Sequence, residues 1–486
     1  MTNYYVACDL GVEIGRVMLG TLHKGNLTMS EVRCFPNVPT RGKDSLQWNM
    51  AQLYQETLDG LREIGKYEEP VDSISCSSWG ADYLLFEADG SLIAPTYHQD
   101  DPRAEAGMKE VFSRVPWETI YDETGVQKTP TSTLFQLGAE TSRRLKRAHH
   151  LMPVADGFNY LLAGVPRVEM SLASTTQLYN PFTKTWSDRL LRALKLPLKL
   201  LPPVVPAGTK LGALRPEIAK GSGWEDAQVV TSCSHELAAT VAGLPLGRGE
   251  SCAYLRLGAW ALLGTELAGP IINDASRELN FTNITSCDDS VCFYKHLVGL
   301  WILEECRRFW RENDRDLDAN VLMHLATSVE PFESLINPTD PRLLTPGDMP
   351  LKIQAFCKQT NQPVPRKPGS IIRCVLESLA LLYCKTLREL ECLTGREITQ
   401  LYLLGGSVNS LLTNFTANAL QIPVVVAPTD ITAIGNVVVQ ALALGHIKSL
   451  DQAREIVGSS FKMKTIIPYA KAWCAAYHRF EKLFAA

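Results

Sequence analysis

The chain has 486 residues, 45% hydrophobic and 21% charged, with 48 Lys and Arg against 52 Asp and Glu for a formal net charge of -4. This excludes collagen-like, low-complexity and mostly disordered classes, and the near-neutral balance gives no electrostatic case for nucleic acid or an anionic membrane surface. No apolar run approaches the roughly 18 residues of a membrane span and the N-terminus carries no basic-then-apolar leader, so two to four domains in the cytoplasm are expected.

In chain order, Tyr4 to Asp9 is β-rich, Gly11 and Gly15 punctuate a turn, and Arg16 to Gly20 resumes an apolar strand. A third strand carries Leu27 and Met29, Trp48 to Ile64 has helical spacing, and Val71 to Cys76 and Tyr83 to Phe86 read as short buried strands. The Pro- and Gly-rich stretch Pro202 to Gly223 reads as a surface loop. Glu250 to Leu267 then repeats the opening pattern of strand, glycine turn and strand, and Leu297 to Trp310 is an amphipathic helix. Leu401 to Leu404 is a strand ending in glycines before a helix from Ser410 to Leu420; strand Val424 to Ala427 and helix Ala433 to Leu444 follow. Hairpins followed by alternating strands and helices imply an α/β fold with mixed sheets covered on both faces. The restart divides the chain into two similar domains, 1–246 and 247–486. The thirteen Cys include no CxxC pair, and Cys8, Cys76, Cys252, Cys306 and Cys374 sit in apolar runs, as buried reduced thiols do. The nine His show no HExxH spacing, and His149-His150 reads as a solvated face.

Four segments have the residue types of a site. Asp9-Leu10-Gly11 through Arg16 could let backbone N–H groups approach an anion while Asp9 holds a metal-bound water; a plain β-turn is the alternative. Leu404-Gly405-Gly406-Ser407-Val408-Asn409 suits a nucleotide at a helix N-terminus, or simply close packing of helix on sheet. Ser234-His235-Glu236 precedes a helix, where Glu236 is either a cap or a general base for a hydroxyl. Ser77 to Asp82 and Tyr97 to Arg103 place rings among acids, a mixture suited to a polyhydroxylated ligand or to solvated loops.

Taken in order over essentially the whole chain, these segments resemble the FGGY carbohydrate kinases, and among them the rhamnulokinases most closely. The resemblance is carried by VACDLG with GRVML, SSWGADYLLFEADG, YHQDDPR, TSTLFQL, STTQL, SHELAA, AYLRLGAW, VGLWILEE, INPTDPRLLTPGDMP, SLALLY, LLGGSVN and TAIGNVVVQALALG. It implies two ribonuclease-H-like domains of the actin and sugar-kinase superfamily with a central cleft. The sugar would be held by the first domain and most of the ATP by the second. The implied reaction is transfer of a phosphoryl group from MgATP to the C1 hydroxyl of a ketose, L-rhamnulose in rhamnulokinases.

Residue by residue, the resemblance assigns Glu236 as base and Asp9 as the acid linked to Mg²⁺ through water. It assigns ATP contacts to Gly11, Glu13, Gly15, Arg16, Arg256, Gly258, Ala259, Glu304, Gly405, Gly406, Ser407 and Asn409. Sugar contacts fall on Trp79, Gly80, Asp82, Asp101, Arg103, His235 and His296. The chain also departs from the family pattern. The family's Asp of its His-Asp-Thr motif is Glu236, and the Thr after it is Leu237. Val12, Glu13 and Ile14 replace hydroxyl donors of the first phosphate loop. Arg256-Leu257-Gly258-Ala259-Trp260 stands for Ser-Ser-Gly-Thr-Trp, His296 for an Asn, Glu304 for a Gln and Ser407 for a third glycine. Two readings follow. One is an active kinase in which Arg256 supplies the charge given up by lost hydroxyls. The other is a catalytically degenerate sugar-binding, regulatory or partner protein in which Glu13 and Arg256 pair over the phosphate site. A monomer or a homodimer is expected, with a 6-deoxy-ketohexose or related ketose and ATP as small-molecule partners.

Overall fold

The computed structural model describes the chain apart from residues 1, 68–69, 223, 248–250, 314–316, 406–409, 470 and 485–486. Thr2–Leu10 (β1) and Ile14–His23 (β2) pair antiparallel, and Asn26–Pro36 (β3) continues the meander. Val71–Ser78 (β4) returns beside β1 in the parallel sense, with Leu10 opposite Ser78. A parallel return needs a crossover, which includes helix α1 (Met50–Gly65) with Leu53, Leu61 and Ile64 buried. Thr209–Ala213 (β5) and Gln228–Thr231 (β6) complete a six-stranded sheet of order β5-β6-β4-β1-β2-β3.

Alternation along the central strands separates two chemistries. Val6 and Cys8 on β1, with Ile74 and Cys76 on β4, join the apolar core that also takes in helix α2 (Val154–Ala163). Ser73 is on the other parity of β4, and its hydroxyl donates to Gln440 Oε1 at 2.7 Å. Gln440 lies on a late helix introduced below, and its Nε2 donates to the Val6 carbonyl at 3.0 Å. Helix α3 (Glu236–Gly243) and that late helix, α4 (Ile431–Ala443), cross where a Cβ on Gly435 would lie 1.7 Å from the Ala239 carbonyl oxygen. The glycine is what lets the two backbones meet. The AIGN…Q segment therefore fastens a late helix to the first strands of the chain.

The chain forms two compact units: Met1–Glu250 with Glu266–Phe293 and Asp430–Lys462, and Ser251–Thr265 with Tyr294–Thr429 and Met463–Ala486. The second unit is built on Cys252–Arg256 (β7), Gln400–Leu404 (β10), Val424–Val426 (β11) and Lys464–Ile466 (β12), with Trp260–Leu267 (β8) as far as Thr265 and Val291–Val298 (β9) from Tyr294. They run in the order β9-β8-β7-β10-β11-β12. β7 pairs antiparallel with β8 and parallel with β10, the same arrangement as β1 with β2 and β4. Its buried spine is the long helix Pro368–Thr394, closed by Gly395 in the left-handed conformation, where glycine carries no Cβ penalty.

Two expectations need correcting. The stretch from Pro202 to Gly223 is not a surface loop: it contains β5 at the edge of the sheet and a helix Pro216–Ser222. Its register breaks between Lys210 and Gly212, an irregularity that suits an edge and hides the alternation. The helix expected from Leu297 begins instead at Trp301, because Leu297 and Val298 end β9. All thirteen cysteines carry reduced thiols, and the five in apolar runs are buried. Among the described residues, no helix is long and apolar enough to cross a membrane.

Candidate active site

Parallel strands end at the same edge of a sheet, so residues at their C-terminal ends become neighbours. Here Asp9 and Leu10 end β1 opposite Ser77 and Ser78 of β4, and Ser78 in turn bridges to His235. The Ser78 N–H donates to the Ser234 carbonyl at 2.8 Å. Three of the four segments singled out by residue type therefore meet in the first unit: the Asp9 turn, the Trp79 loop and the segment before Glu236.

At the first turn, β1–β2 pairing sets Asp9 opposite Arg16. Arg16 Nη2 lies 2.6 Å from Asp9 Oδ2, and its Nη1 lies 2.7 Å from Asp430 Oδ1. Burial works against the guanidinium charge, but the two carboxylates outweigh it and raise the Arg16 pKa. Asn37 braces the turn, donating from its side chain to the Gly11 carbonyl at 2.9 Å and from its N–H to the Glu13 carbonyl at 2.8 Å. A Cβ on Gly15 would lie 2.2 Å from the Phe35 ring, which explains that glycine sterically. The Glu13 side chain is exposed.

In the Trp79 loop, Asp82 is 1% exposed. Its Oδ2 accepts from Trp48 Nε1 at 2.6 Å and Trp79 Nε1 at 2.9 Å, and its Oδ1 accepts from Gln136 Nε2 at 3.0 Å. Burial raises its pKa, and these three donors pull it back down. The Trp48 and Trp79 ring centroids are 4.8 Å apart, and His98 lies 4.3 Å from Trp48. Ala81 has φ +74°, a conformation disfavoured for a side-chain-bearing residue; its carbonyl is held by Thr133 Oγ1 at 2.6 Å and Gln136 Nε2 at 3.2 Å. A Cβ on Gly80 would lie 3.0 Å from Thr175 of the STTQL segment.

Asp101 does not point at a solvated loop: it is buried and accepts from the backbone of Leu46 at 2.6 Å and of Arg103 at 3.0 Å. Arg103 lies over the Tyr97 ring at 3.7 Å and donates to Glu140 at 3.3 Å and Gln136 Oε1 at 3.4 Å. Gln136 thus joins Asp82 to Arg103. His98 lies in the Tyr97 to Arg103 segment already singled out, whereas Trp48 and Gln136 were missed by residue-type reasoning; Gln136 lies in the TSTLFQL segment, whose fixed place beside the acids was the one available signal.

His235 is the N-cap of α3 and makes no side-chain capping bond, so Glu236 stands in the first turn rather than at the cap. A carboxylate there faces the positive end of the helix dipole. Glu236 is half-buried, followed by the buried run Leu237 to Gly243.

In the second unit, backbone hydrogen bonds tie down the Arg256–Trp260 turn. Leu257 N–H donates to the Leu404 carbonyl at 3.3 Å. The N–H groups of Gly299 and Trp301 donate to Ala259 O at 3.1 Å each, and that of Leu300 to Gly258 O at 2.8 Å. Gly405 has φ +109°, and its built Cβ would stand 3.4 Å from the Leu257 carbonyl, so the two glycine segments are neighbours. Arg256 is half-buried, Ala259 exposed, and His296 exposed beside the Tyr294 ring at 5.2 Å. Glu304 pairs along its own helix with Arg307 at 2.9 Å. Gly406, Ser407 and Asn409 lie outside the described residues.

Residues 4–243 match the N-terminal domain, and residues 253–444 the C-terminal domain, of the FGGY family of carbohydrate kinases. The chain is 36% identical to a rhamnulokinase of Bacteroides thetaiotaomicron over 99% of both chains, and 35% identical to one of Enterococcus faecalis, covering 94% of this chain and 92% of the relative. Among solved structures, a ligand-bound xylulose kinase from Lactobacillus acidophilus superposes with a TM-score of 0.82 at 15% identity, covering 99% of this chain and 96% of that one. At that identity, the likeness is one of fold.

Proposed function

Because the chain belongs to the FGGY family of carbohydrate kinases, and is thereby an ATP-dependent sugar phosphotransferase, we propose that it phosphorylates the C1 hydroxyl of L-rhamnulose. The observation that supports the site is the meeting of Leu10, Ser78 and His235 at one sheet edge, which groups an acid–arginine turn, an aromatic and carboxyl cluster, and Glu236. In this reading, Trp79, Gly80, Asp82, Asp101, Arg103, His235 and His296 serve the sugar. Asp82 orients the indoles of Trp48 and Trp79, and an oriented ring covers the apolar face of a deoxysugar. Glu236 accepts the proton of the attacking hydroxyl as the new O–P bond forms and the bond to the ADP leaving group breaks.

Gly11, Glu13, Gly15, Arg16, Arg256, Gly258, Ala259, Glu304 and Gly405, with Gly406, Ser407 and Asn409, serve ATP. Among the described residues, no group of three or more His, Cys, Asp or Glu is placed to hold a metal ion. A hard cation would be held mostly by phosphate oxygens and water, with Asp9, at the end of β1, reaching it through water. Mg²⁺ so bound would neutralise charge developing on the phosphates. We assign the work to the cytoplasm, in deoxysugar catabolism, by a monomer or homodimer whose family domains are 1–246 and 247–486.

The test is calorimetric titration with MgATP beside an ADP-release assay over L-rhamnulose, L-fuculose and D-xylulose. Binding of MgATP and fastest turnover of L-rhamnulose are expected. Faster turnover of another sugar would overturn the substrate, and no MgATP binding at millimolar concentration would leave the non-catalytic, sugar-binding reading.

A further inference from the structure

Behind the Ser234–Glu236 segment lie two carboxyl groups in the protein interior: Asp156, 1% exposed on α2, and Glu169, fully buried before the short helix Met170–Thr175. Placing two acids side by side in the interior is costly unless hydrogen bonds repay it. Here the bonds converge on the backbone just ahead of Glu236. Glu169 Oε2 accepts from Ser234 N–H at 2.9 Å, from Ser171 N–H at 3.0 Å and from the Ser171 hydroxyl. Ser171 Oγ in turn accepts from His235 N–H at 2.9 Å. Asp156 Oδ1 accepts from the Ser234 hydroxyl at 2.7 Å, and its Oδ2 from Glu169 N–H at 3.1 Å. The Ser234 carbonyl is taken by Ser78 N–H at 2.8 Å.

Ser234 is thus tied through its N–H, hydroxyl and carbonyl, and His235 through its N–H. The start of a helix is ordinarily registered by its N-cap side chain, and the His235 side chain makes no such bond. The buried acids do that work from outside the helix. The sheet edge adds a second consequence, because Ser78 also accepts Ala155 N–H through Oγ at 3.1 Å and donates to the Trp79 carbonyl at 3.1 Å. One junction therefore sets both the Trp79 loop and the residues that precede Glu236.

We infer that Asp156 and Glu169, acting through Ser171 and Ser234, are positioning residues that hold the Glu236 carboxylate at its working place without themselves touching substrate. The inference rests on Glu236 as the base. A displacement near 1 Å at such a group costs about a hundredfold in rate, so the device acts on kcat and spares ground-state binding.

The experiment compares kcat and KM for ATP and L-rhamnulose in the full chain and in Glu169→Ala, Glu169→Gln, Ser171→Ala and Glu236→Gln. Glu169→Ala removes the acceptor and is expected to lower kcat about a hundredfold, with both KM values within about threefold. Glu169→Gln keeps a carbonyl oxygen for the same donors and is expected to recover kcat to within about fivefold of the parent. If Glu169→Ala does not fold, Ser171→Ala, which removes only the hydroxyl between His235 and Glu169, should still lose about tenfold in kcat. Parental kcat in Glu169→Ala or, where that variant fails to fold, in Ser171→Ala overturns the inference, as does a loss carried by KM. With Glu236→Gln inactive, such a result leaves the base assignment standing. Parental turnover in Glu236→Gln, or no turnover by the parent, removes the base or kinase reading itself and this inference with it.

Discussion

The turn between β1 and β2 and the turn between β7 and β8 occupy the same topological place: each joins antiparallel strands whose first member also pairs in parallel with a later strand. Both carry backbone hydrogen bonds, and the first adds side-chain ties through Asp9, Arg16 and Asn37. In the first turn, Asp9, Arg16 and Asp430 form a chain of ion pairs, and the Asn37 side chain grips the Gly11 carbonyl. In the second, the contacts run from the N–H groups of Leu257, Gly299, Leu300 and Trp301 to backbone carbonyls. A turn held by side chains fixes a charge pattern and is exposed to substitution. A turn held by backbone keeps its shape when its side chains change, so a substitution at the exposed Ala259 should leave the loop intact.

The largest effect is expected where charge is the structural element. Asp9→Ala removes one of the two carboxylates that pair with Arg16 among the described residues, and with it the acid assigned to the metal-bound water; kcat/KM in the ADP-release assay should fall about a thousandfold. The second turn should break only through backbone. Gly299→Ala would set a Cβ 2.3 Å from the Gly258 carbonyl oxygen, costing about 1–3 kcal/mol in urea unfolding and weakening MgATP about tenfold by calorimetry. If Gly299→Ala were neutral, the backbone account of the second turn would fail.

These contrasts also mark what could be read along the chain. Both hairpins and the βα segments after them were legible, because Asp9, Gly11 and Gly15, and later Gly258 and Gly405, interrupt apolar runs at strand ends. The edge strand β5 was not, since Pro202, Pro203, Pro206, Gly208 and Gly212 mask it and its register is broken. The start of the helix at Trp301 was misplaced because the last residues of β9 and the first turn of the helix form one apolar run. Trp79 and Asp82 were legible as a cluster, being three residues apart, but their partners Trp48 and Gln136 lie 34 and 54 residues from Asp82. Glu169 has a local partner in Ser171 two residues on, but its link to Ser234 and that of Asp156 span 65 and 78 residues. Such tertiary hydrogen bonds have no period for sequence reading to detect.

A smaller effect concerns the buried acids. Burial lifts the Glu169 pKa from 4.5 to about 7, with the bonds from Ser171 and Ser234 opposing the shift. Between those values the folded chain holds a proton that the unfolded chain has lost, so this contribution is present below about pH 4.5 and disappears as pH rises through about 7. The parent should therefore lose up to about 3 kcal/mol between pH 5 and 8 relative to Glu169→Gln, measured by urea unfolding at each pH. An identical pH slope in the two proteins would contradict it. The smallest change is expected for Ala259→Thr: stability within about 0.5 kcal/mol of the parent and a KM for ATP lower by about threefold, as one added phosphate donor would give. A large destabilisation would show that the second turn does depend on its side chains.

The central claim is that the charged turn, the aromatic cluster and Glu236, gathered at one sheet edge, perform phosphoryl transfer. It is tested most directly by single-turnover formation of sugar 1-phosphate from L-rhamnulose and ATP, in the parent and in Glu236→Gln. The account predicts product with the parent and a rate at least about a thousandfold lower in the variant, with MgATP binding unchanged. Equal rates in the two proteins would contradict it.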